Sequence, residues 1–201
     1  MNKIIIASRN RGKISEIRKI LSLENIEVLD LRALAFNGDI DESGSDFKEN
    51  ALIKAVEVFS RYRLPVLADD SGLSVPYLGG KPGVFSARFA GPEAGDEENN
   101  NLLLEKLRGT TEGERKAWFT CAAVFYYDTG RYFYSEGRID GVITGTPAGM
   151  NGFGYDPLFF IPARRKTMAQ LSEDEKNEVS HRAQAFKRIN RYIKDYFRSI
   201  K

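Results

Sequence analysis

The sequence is poor in the residues that build disulfides and metal clusters, because its 201 residues include one cysteine and one histidine. A single cysteine excludes an internal disulfide and a cysteine-based zinc cluster, and Cys121 lies in an alternating apolar run that predicts a small core residue. No stretch approaches the roughly eighteen apolar residues of a membrane span. We therefore expect a cytoplasmic protein without a membrane partner.

An excess of charge of one sign is also missing, since the formal net charge is +2. Overall charge therefore gives no support for a nucleic-acid or membrane partner. The length suits one domain with a sizeable core, and no repeats or low-complexity tracts divide it. We expect a single domain over residues 1–201, built from two lobes.

Short β-branched runs alternate with helical patterns, which is typical of an α/β fold. The residues from Ala117 alternate in polarity up to Asp128-Thr129-Gly130, which predicts an antiparallel hairpin as a candidate second lobe. The sequence thus predicts a mixed central β-sheet flanked by helices. The expected elements are strands at 4–7, 26–31, 65–69 and on both sides of the hairpin turn, and helices from 11, over 47–61, around 102–107 and over 181–200.

The first strand leads into Ser8-Arg9-Asn10-Arg11-Gly12-Lys13, which predicts a capped helix start rich in positive charge. Backbone N–H groups and cations at such a point attract phosphate. Gly12 stands alone before Lys13, so this is not the glycine-rich P-loop pattern. A solvated helix start is the alternative.

The stretch from Val66 to Leu73 brings two adjacent acids, Asp69 and Asp70, into what its composition predicts to be a turn. Consecutive strand residues point to opposite faces, so one acid is expected to reach a cleft or water. A carboxylate beside a divalent cation can stay ionised and hold a water molecule for attack. An ordinary surface turn is the alternative for this stretch alone.

The helix that begins after Asp46 is expected to bury Leu52, Ala55, Val56 and Phe59. Lys54 then lies off that face and is expected to point at a ligand or at water. The acidic run Glu93 to Glu98 is expected to be solvated. His181, at the start of the last helix, is expected to be a surface cap.

The Gly-rich segment 145–154 ends in Phe153-Gly154-Tyr155-Asp156-Pro157. Glycine lets a flat ring approach the backbone closely, so these aromatic residues can stack on a ligand. The alternative is that they join the core.

Together these motifs resemble the inosine triphosphate pyrophosphatase family, whose members hydrolyse non-standard purine nucleoside triphosphates such as ITP, dITP and XTP. The resemblance covers nearly the whole chain; Ser8 stands where Thr is usual and Asp46 where Thr or Ser is expected. The motifs are Ser8 to Lys13 with Glu16, Phe47-Lys48-Glu49-Asn50-Ala51 with Lys54, Ala68 to Leu73, Pro82-Gly83-Val84-Phe85-Ser86-Ala87-Arg88, Gly152 to Pro157, and Lys176-Asn177 with Ser180-His181-Arg182.

The resemblance implies two lobes with the active-site cleft between them, Mg²⁺ as cofactor and a homodimer. Asp70 matches the family's proton acceptor and would deprotonate a magnesium-held water that attacks the α-phosphorus, with pyrophosphate leaving. Asp70 and Glu42 would hold Mg²⁺, with Glu49 as the alternative second ligand. The implied substrate-binding residues are Ser8, Arg9, Asn10, Arg11, Gly12, Lys13, Lys54, Ser71, Phe153, Gly154, Tyr155, Asp156, Lys176, His181 and Arg182.

The resemblance also implies that base choice would lie with Phe153, stacking on the purine, and with Asp156, Lys176, His181 and Arg182, reading its edge. Hypoxanthine and xanthine carry an oxygen at position 6 where adenine carries an amine, and a site built for one can reject the other by about 10⁴-fold. GTP shares that oxygen, so its rejection must act at the 2-amino group.

Two other functions compete with this hypothesis. A nucleic-acid-binding protein would use the basic side of the last helix, which carries Lys187, Arg188, Arg191, Lys194 and Arg198. A related pyrophosphatase family linked to septum formation acts on modified pyrimidine nucleotides. The motifs at 153–157 and 180–182 argue against that family.

Overall fold

The structure is a computed structural model and describes residues 2–200. The helices are α1 Arg11–Leu21, α2 Phe47–Tyr62, α3 Asp96–Lys106, α4 Glu173–Val179 and α5 His181–Ser199. The strands are β1 Asn2–Ile6, β2 Ile26–Asp30, β3 Val66–Ser74, β4 Lys116–Asp128, β5 Arg131–Ile143, β6 Phe159–Ile161 and β7 Lys166–Thr167. Two short 3₁₀-helices shape the Gly-rich segment after β3, at Pro76–Leu78 and Gly83–Arg88.

The seven strands form one sheet in the order β2-β1-β3-β4-β5-β6-β7. β1 pairs in parallel with β2 and β3, whereas β6 pairs antiparallel with β5 and β7. Parallel neighbours need a crossover connection, and α1 and α2 supply the two crossovers at this side of the sheet. The predicted mixed α/β sheet with flanking helices is confirmed.

The described chain divides into two compact units. The first contains the residues up to Asp70, Cys121–Gly137 and the residues from His181 onward; the second contains Ser71–Thr120 and Arg138–Ser180. The hairpin of β4 and β5 contributes to both units, so the expectation that it forms a lobe of its own is wrong. The reason is its length, because each strand has 13 residues and passes through two separate apolar cores.

Strand alternation organises the first unit. Leu67 packs in a core with residues of α1 and α5, whereas its neighbour Ala68 packs in another core with residues of α2. Successive side chains on a strand point to opposite faces, so Asp69 continues the row of Leu67 and Asp70 continues the row of Ala68. The two acids therefore face different helices.

The turn expected at the two acids is wrong, because β3 runs without a break from Val66 to Ser74. Ile5 and Ile6 of β1 pair with Val66 and Leu67 of β3, and β4 lies on the other side of the strand. Tertiary pairing therefore keeps turn-forming residues in an extended strand after β1 has ended.

The second unit has its own apolar core, in which Leu103 of α3 packs with residues of β3 to β6. The rings of Phe119 and Phe159 lie 4.5 Å apart between centroids within this core. Between residues 2 and 200, none of the helices combines the length and the apolar character needed to cross a bilayer.

Candidate active site

Asp69 is buried among cations that come from two helices. Its Oδ2 lies 3.0 Å from Lys13 Nζ in α1 and 3.5 Å from Arg182 Nε in α5. Arg182 also donates to Glu16 Oε2 at 2.5 Å. Burial opposes the charge on Arg182, but the carboxylates of Glu16 and Asp69 outweigh it and raise the pKa of the guanidinium.

Asp70 accepts hydrogen bonds from two side chains of α2. Asn50 Nδ2 donates to Asp70 Oδ2 at 3.1 Å, and Lys54 Nζ donates to Asp70 Oδ1 at 3.4 Å. Asn50 Oδ1 also accepts from the backbone N–H of Gly44 at 2.8 Å, which ties the preceding loop to this cluster. Glu42 in that loop places its Oε2 3.3 Å from Lys54 Nζ. Two carboxylates thus converge on one ammonium group.

One of the two acids was expected to reach a cleft or water; neither is open to water, and access of one of them to a cleft stays a prediction. Asp69 is 2% exposed and Asp70 is 6% exposed. Cations of the first unit balance both charges, so water is not required to do so. The side chain of Asp70 keeps the larger remaining exposure, 9% against 1% for Asp69.

The expected buried face of α2 is confirmed at Ala55 and Phe59 but is wrong at Val56, which is 41% exposed. Lys54 is buried and does not point at water. The buried stripe of this helix includes Asn50 and Lys54 together with Ala51, Ala55, Val58 and Phe59. Burial alone would lower the pKa of Lys54, but Asp70, Glu42 and Asp69 raise it above its ordinary value. Asn50 and Lys54 are buried on this face of α2 because both donate hydrogen bonds to the buried carboxylate of Asp70.

The start of α1 brings together several of the predicted phosphate-binding residues. Asn10 caps the helix and accepts from the backbone N–H of Lys13 at 3.0 Å, which confirms the predicted cap. Ser8 Oγ accepts from the backbone N–H of Asn10 at 3.2 Å. Arg11 and Gly12 form the first helical positions, with Arg11 exposed.

Two of the candidate residues have well-defined contacts elsewhere. The guanidinium of Arg9 donates to the carbonyls of Phe36 and Gly38 and so holds the loop after β2. Glu49 Oε2 accepts from both the N–H and the hydroxyl of Ser45 at 2.8 Å. Glu49 is therefore used in the cap of α2, which favours Glu42 as the second metal ligand.

Glu42 and Asp70 suit a hard divalent cation. Their oxygens lie 3.3 Å and 3.4 Å from the same nitrogen, Lys54 Nζ. Mg²⁺ in nucleotide sites is usually held by one or two carboxylates, with phosphates and water as the other ligands. Over residues 2–200 no group of three or more His, Cys, Asp or Glu side chains is arranged to hold a metal. Phosphate oxygens and water would supply the other ligands of a cation held by Asp70 and Glu42.

In the second unit, Asp156 and Lys176 fix the segment that carries Phe153. Asp156 Oδ2 accepts from the backbone N–H of Phe153 at 2.9 Å and from Lys176 Nζ at 2.5 Å. Lys176 Nζ also lies 4.8 Å from the centroid of the Phe153 ring, a cation–π contact. Gly152 has φ +81°, and a Cβ there would overlap the Asp156 carboxylate. Glycine is thus required for this arrangement.

The other predicted site residues have different surroundings. Tyr155 is 4% exposed, belongs to the core of the second unit and donates to the Ser86 carbonyl at 2.9 Å, and its burial raises its pKa. Ser71 is half-buried on β3 directly after Asp70. His181 is 3% exposed at the first position of α5, so the expected surface cap is wrong.

Four residues with contacts to the candidate site had no role assigned from the sequence. The role of Asn50 could have been predicted from the sequence, because Asn50 lies four residues before Lys54 on the same face of the helix. The contact of Glu16 with Arg182 joins positions 166 apart and leaves no local pattern. Asp96 is exposed, as expected for the acidic run, and its carboxylate also accepts from the backbone N–H of Gly154; Asn100 donates to the carbonyl of the same residue.

Comparison with known proteins places the chain in a family. The sequence profile of the Ham1 family matches residues 4–192. A dITP/XTP pyrophosphatase of Exiguobacterium sp. is 48% identical over 191 residues, covering 95% of this chain and 96% of that protein. A dITP/XTP pyrophosphatase of Clostridium perfringens is 43% identical over 201 residues, covering 96% and 98%.

A solved structure of a HAM1 protein from Coxiella burnetii superposes with a TM-score of 0.87 at 38% identity, covering 97% of this chain and 100% of that one. The family resemblance that the motifs indicated is thereby confirmed. The fold, the sequence profile and the relatives agree over nearly the whole length. The chain belongs to the Ham1 family.

Proposed function

We propose that this protein hydrolyses non-standard purine nucleoside triphosphates such as ITP, dITP and XTP to the nucleoside monophosphate and pyrophosphate. The names of its relatives support this activity. The structural observation that supports it best is the convergence of Asp70 and Glu42 on the buried cation Lys54. Such a cluster offers both carboxylates for a metal and positive charge for phosphate.

In this proposal Asp70 accepts the proton of the water that attacks the α-phosphorus. Asn50 and Lys54 each hold one of its carboxylate oxygens and so fix its orientation. Lys13 and the N–H groups at the start of α1 bind phosphate oxygens. The bond between the α-phosphorus and the bridging oxygen breaks, and these cations stabilise the negative charge of the departing pyrophosphate.

Mg²⁺ is the cofactor that we propose for Asp70 and Glu42. When bound, it would polarise phosphate oxygens and offset their charge. The remaining proposed contacts come from the family resemblance and concern the base. Phe153 stacks on the purine and Lys176 donates to its 6-oxygen. Asp156 holds Lys176 in position by the contact already described.

The activity is tested by measuring pyrophosphate release from ITP, XTP, dITP, GTP and ATP, with Mg²⁺ and with a chelator. We expect kcat/KM for ITP to exceed that for ATP by at least about 100-fold, and the chelator to abolish release. Equal rates for ATP and ITP would contradict the proposed substrate class. A steeply salt-dependent affinity for RNA or DNA without any pyrophosphate release would favour the nucleic-acid-binding alternative.

Replacing Lys176 by methionine is expected to lower the ITP-to-ATP ratio of kcat/KM by about tenfold or more, because the donor for the 6-oxygen is lost. The ratio is measured by steady-state kinetics with both nucleotides. Lys166→Met is the matched control, since Lys166 pairs with Glu175 at 2.9 Å and has a 44% exposed side chain. If the ITP-to-ATP ratio of kcat/KM is unchanged in Lys176→Met, Lys176 does not take part in base recognition.

We also propose a cytoplasmic homodimer in which residues 1–201 act as a single domain, with the cleft and the two-lobed arrangement of the family. The resemblance to the family supports the dimer, and the scarcity of cysteine supports the compartment. Light scattering during size-exclusion chromatography tests the dimer, because it reports the mass of the particle independently of its shape.

A further inference from the structure

Two side chains of α3 bind the backbone of Gly154, one at its N–H group and the other at its carbonyl. Asp96 Oδ2 accepts from the N–H of Gly154 at 2.6 Å, and Asn100 Nδ2 donates to its carbonyl at 2.9 Å. Asp96 and Asn100 are four positions apart on a helix, so their side chains lie on the same face. We call this pair of contacts the Gly154 clamp.

The clamp matters because the segment it holds has little support from regular secondary structure. Residues 150–157 form bends and turns. Gly154 has φ +62°, and glycine gains more conformational freedom than other residues when it is released. The N–H of Phe153 is held by Asp156 and both polar backbone groups of Gly154 are held by the clamp. The direction of the Phe153 ring therefore depends on side-chain contacts.

There is room for the ring to move if the clamp is lost. A pocket of about 480 Å³ lies within the second unit, and Asp96, Asn100, Leu104, Met150 and Phe153 are among its lining residues. Without the clamp, the segment could shift into this space and carry the ring away from Lys176.

We infer that Asp96 and Asn100 are positioning residues for base recognition, which fix Gly154 so that the Phe153 ring is presented beside Lys176. The inference rests on the proposed function, in which Phe153 stacks on the purine. The two residues act through the backbone of the loop and need no contact with the substrate. Their loss should therefore weaken substrate binding, whereas the residues proposed for the chemical step, Asp70 and Lys54, are unchanged.

The chain offers a matched control for each member of the clamp. Asp96→Ala is compared with Glu105→Ala, which removes the same charge from an exposed position of α3 that does not line the pocket. Asn100→Asp is compared with Asn25→Asp, which adds the same charge at an exposed position of the first unit, away from the pocket. Asn100→Asp turns a donor into a carboxylate that faces the Gly154 carbonyl, so it should repel the loop.

Steady-state kinetics with ITP and ATP separate a positioning role from a structural one. In Asp96→Ala and Asn100→Asp we expect KM for ITP to rise about tenfold, equivalent to about 1.4 kcal/mol, with kcat within about twofold of wild type. The two controls should keep the wild-type KM. Asp96→Asn retains an acceptor oxygen for the Gly154 N–H and should restore most of the affinity lost in Asp96→Ala.

The outcomes distinguish the inference from the proposed function. An active wild-type enzyme whose four variants share one KM would overturn the inference alone. A fall in kcat at unchanged KM, together with a lower melting temperature, would indicate loss of folded protein and would also overturn it. A wild-type protein that releases no pyrophosphate from ITP would overturn the proposed function, and the inference with it.

Discussion

Replacing Asp70 by asparagine is expected to lower kcat for pyrophosphate release from ITP by about 10³-fold, within the usual range for removing a general base. The amide has the size of the carboxylate and can still accept from Asn50, but it cannot take up a proton at neutral pH. Lys54 keeps its second carboxylate partner, Glu42, at 3.3 Å. The fold should therefore survive, and kcat is measured at saturating ITP.

Asp140→Asn is the control for this experiment, because it makes the same chemical change at a side chain that is 72% exposed. We expect it to keep wild-type turnover. Thermal unfolding of both variants shows whether they are equally folded. Turnover near the wild-type rate in folded Asp70→Asn would rule out Asp70 as the base.

Local apolar periodicity predicted much of the fold. The last helix was expected over 181–200 and is His181–Ser199; the hairpin strands were expected on either side of residues 128–130 and end and begin at Asp128 and Arg131. These patterns are reliable because the residues that an element packs against the core recur at regular intervals along its sequence. Such a signal lies within the element and needs no knowledge of its neighbours.

The predictions of local structure are wrong where a contact with another element outweighs the preference of the local sequence. Asp69 to Gly72 has the composition of a turn, but its place next to β4 keeps it in a strand. In α2 the apolar residue Val56 suggested the buried face, whereas the polar residue Lys54 is buried there because Asp70 lies opposite. Buried polar residues are invisible to a hydrophobic pattern even when they mark a candidate site.

The sequence motifs named the candidate residues but not their contacts. Arg182 was expected to read the base edge, and its role in selectivity stays a prediction. Its described contacts are with Glu16 and Asp69, which come from α1 and β3. Partners so distant in the chain follow from the topology, and no spacing rule brings them together.

Replacing Arg182 by methionine is expected to lower the free energy of unfolding by about 3–5 kcal/mol, the usual cost of breaking a buried ion pair. Arg182 is 2% exposed and contacts two buried carboxylates, Glu16 at 2.5 Å and Asp69 at 3.5 Å. Methionine fills much of the same space but leaves these carboxylates beside an apolar side chain. The change is measured by urea-induced unfolding.

A second substitution separates lost charge pairing from lost packing. If unpaired charge is the cause, Glu16→Gln in the Arg182→Met background should recover part of the stability, because a neutral amide is less costly to bury beside methionine. Arg191→Met, on the same helix with an 81% exposed side chain, should change stability by less than about 0.5 kcal/mol. Equal stability of the Arg182→Met and Arg191→Met proteins would show that the Glu16–Arg182–Asp69 cluster contributes little to folding. A lack of recovery in the double variant would instead assign the loss to packing around α5.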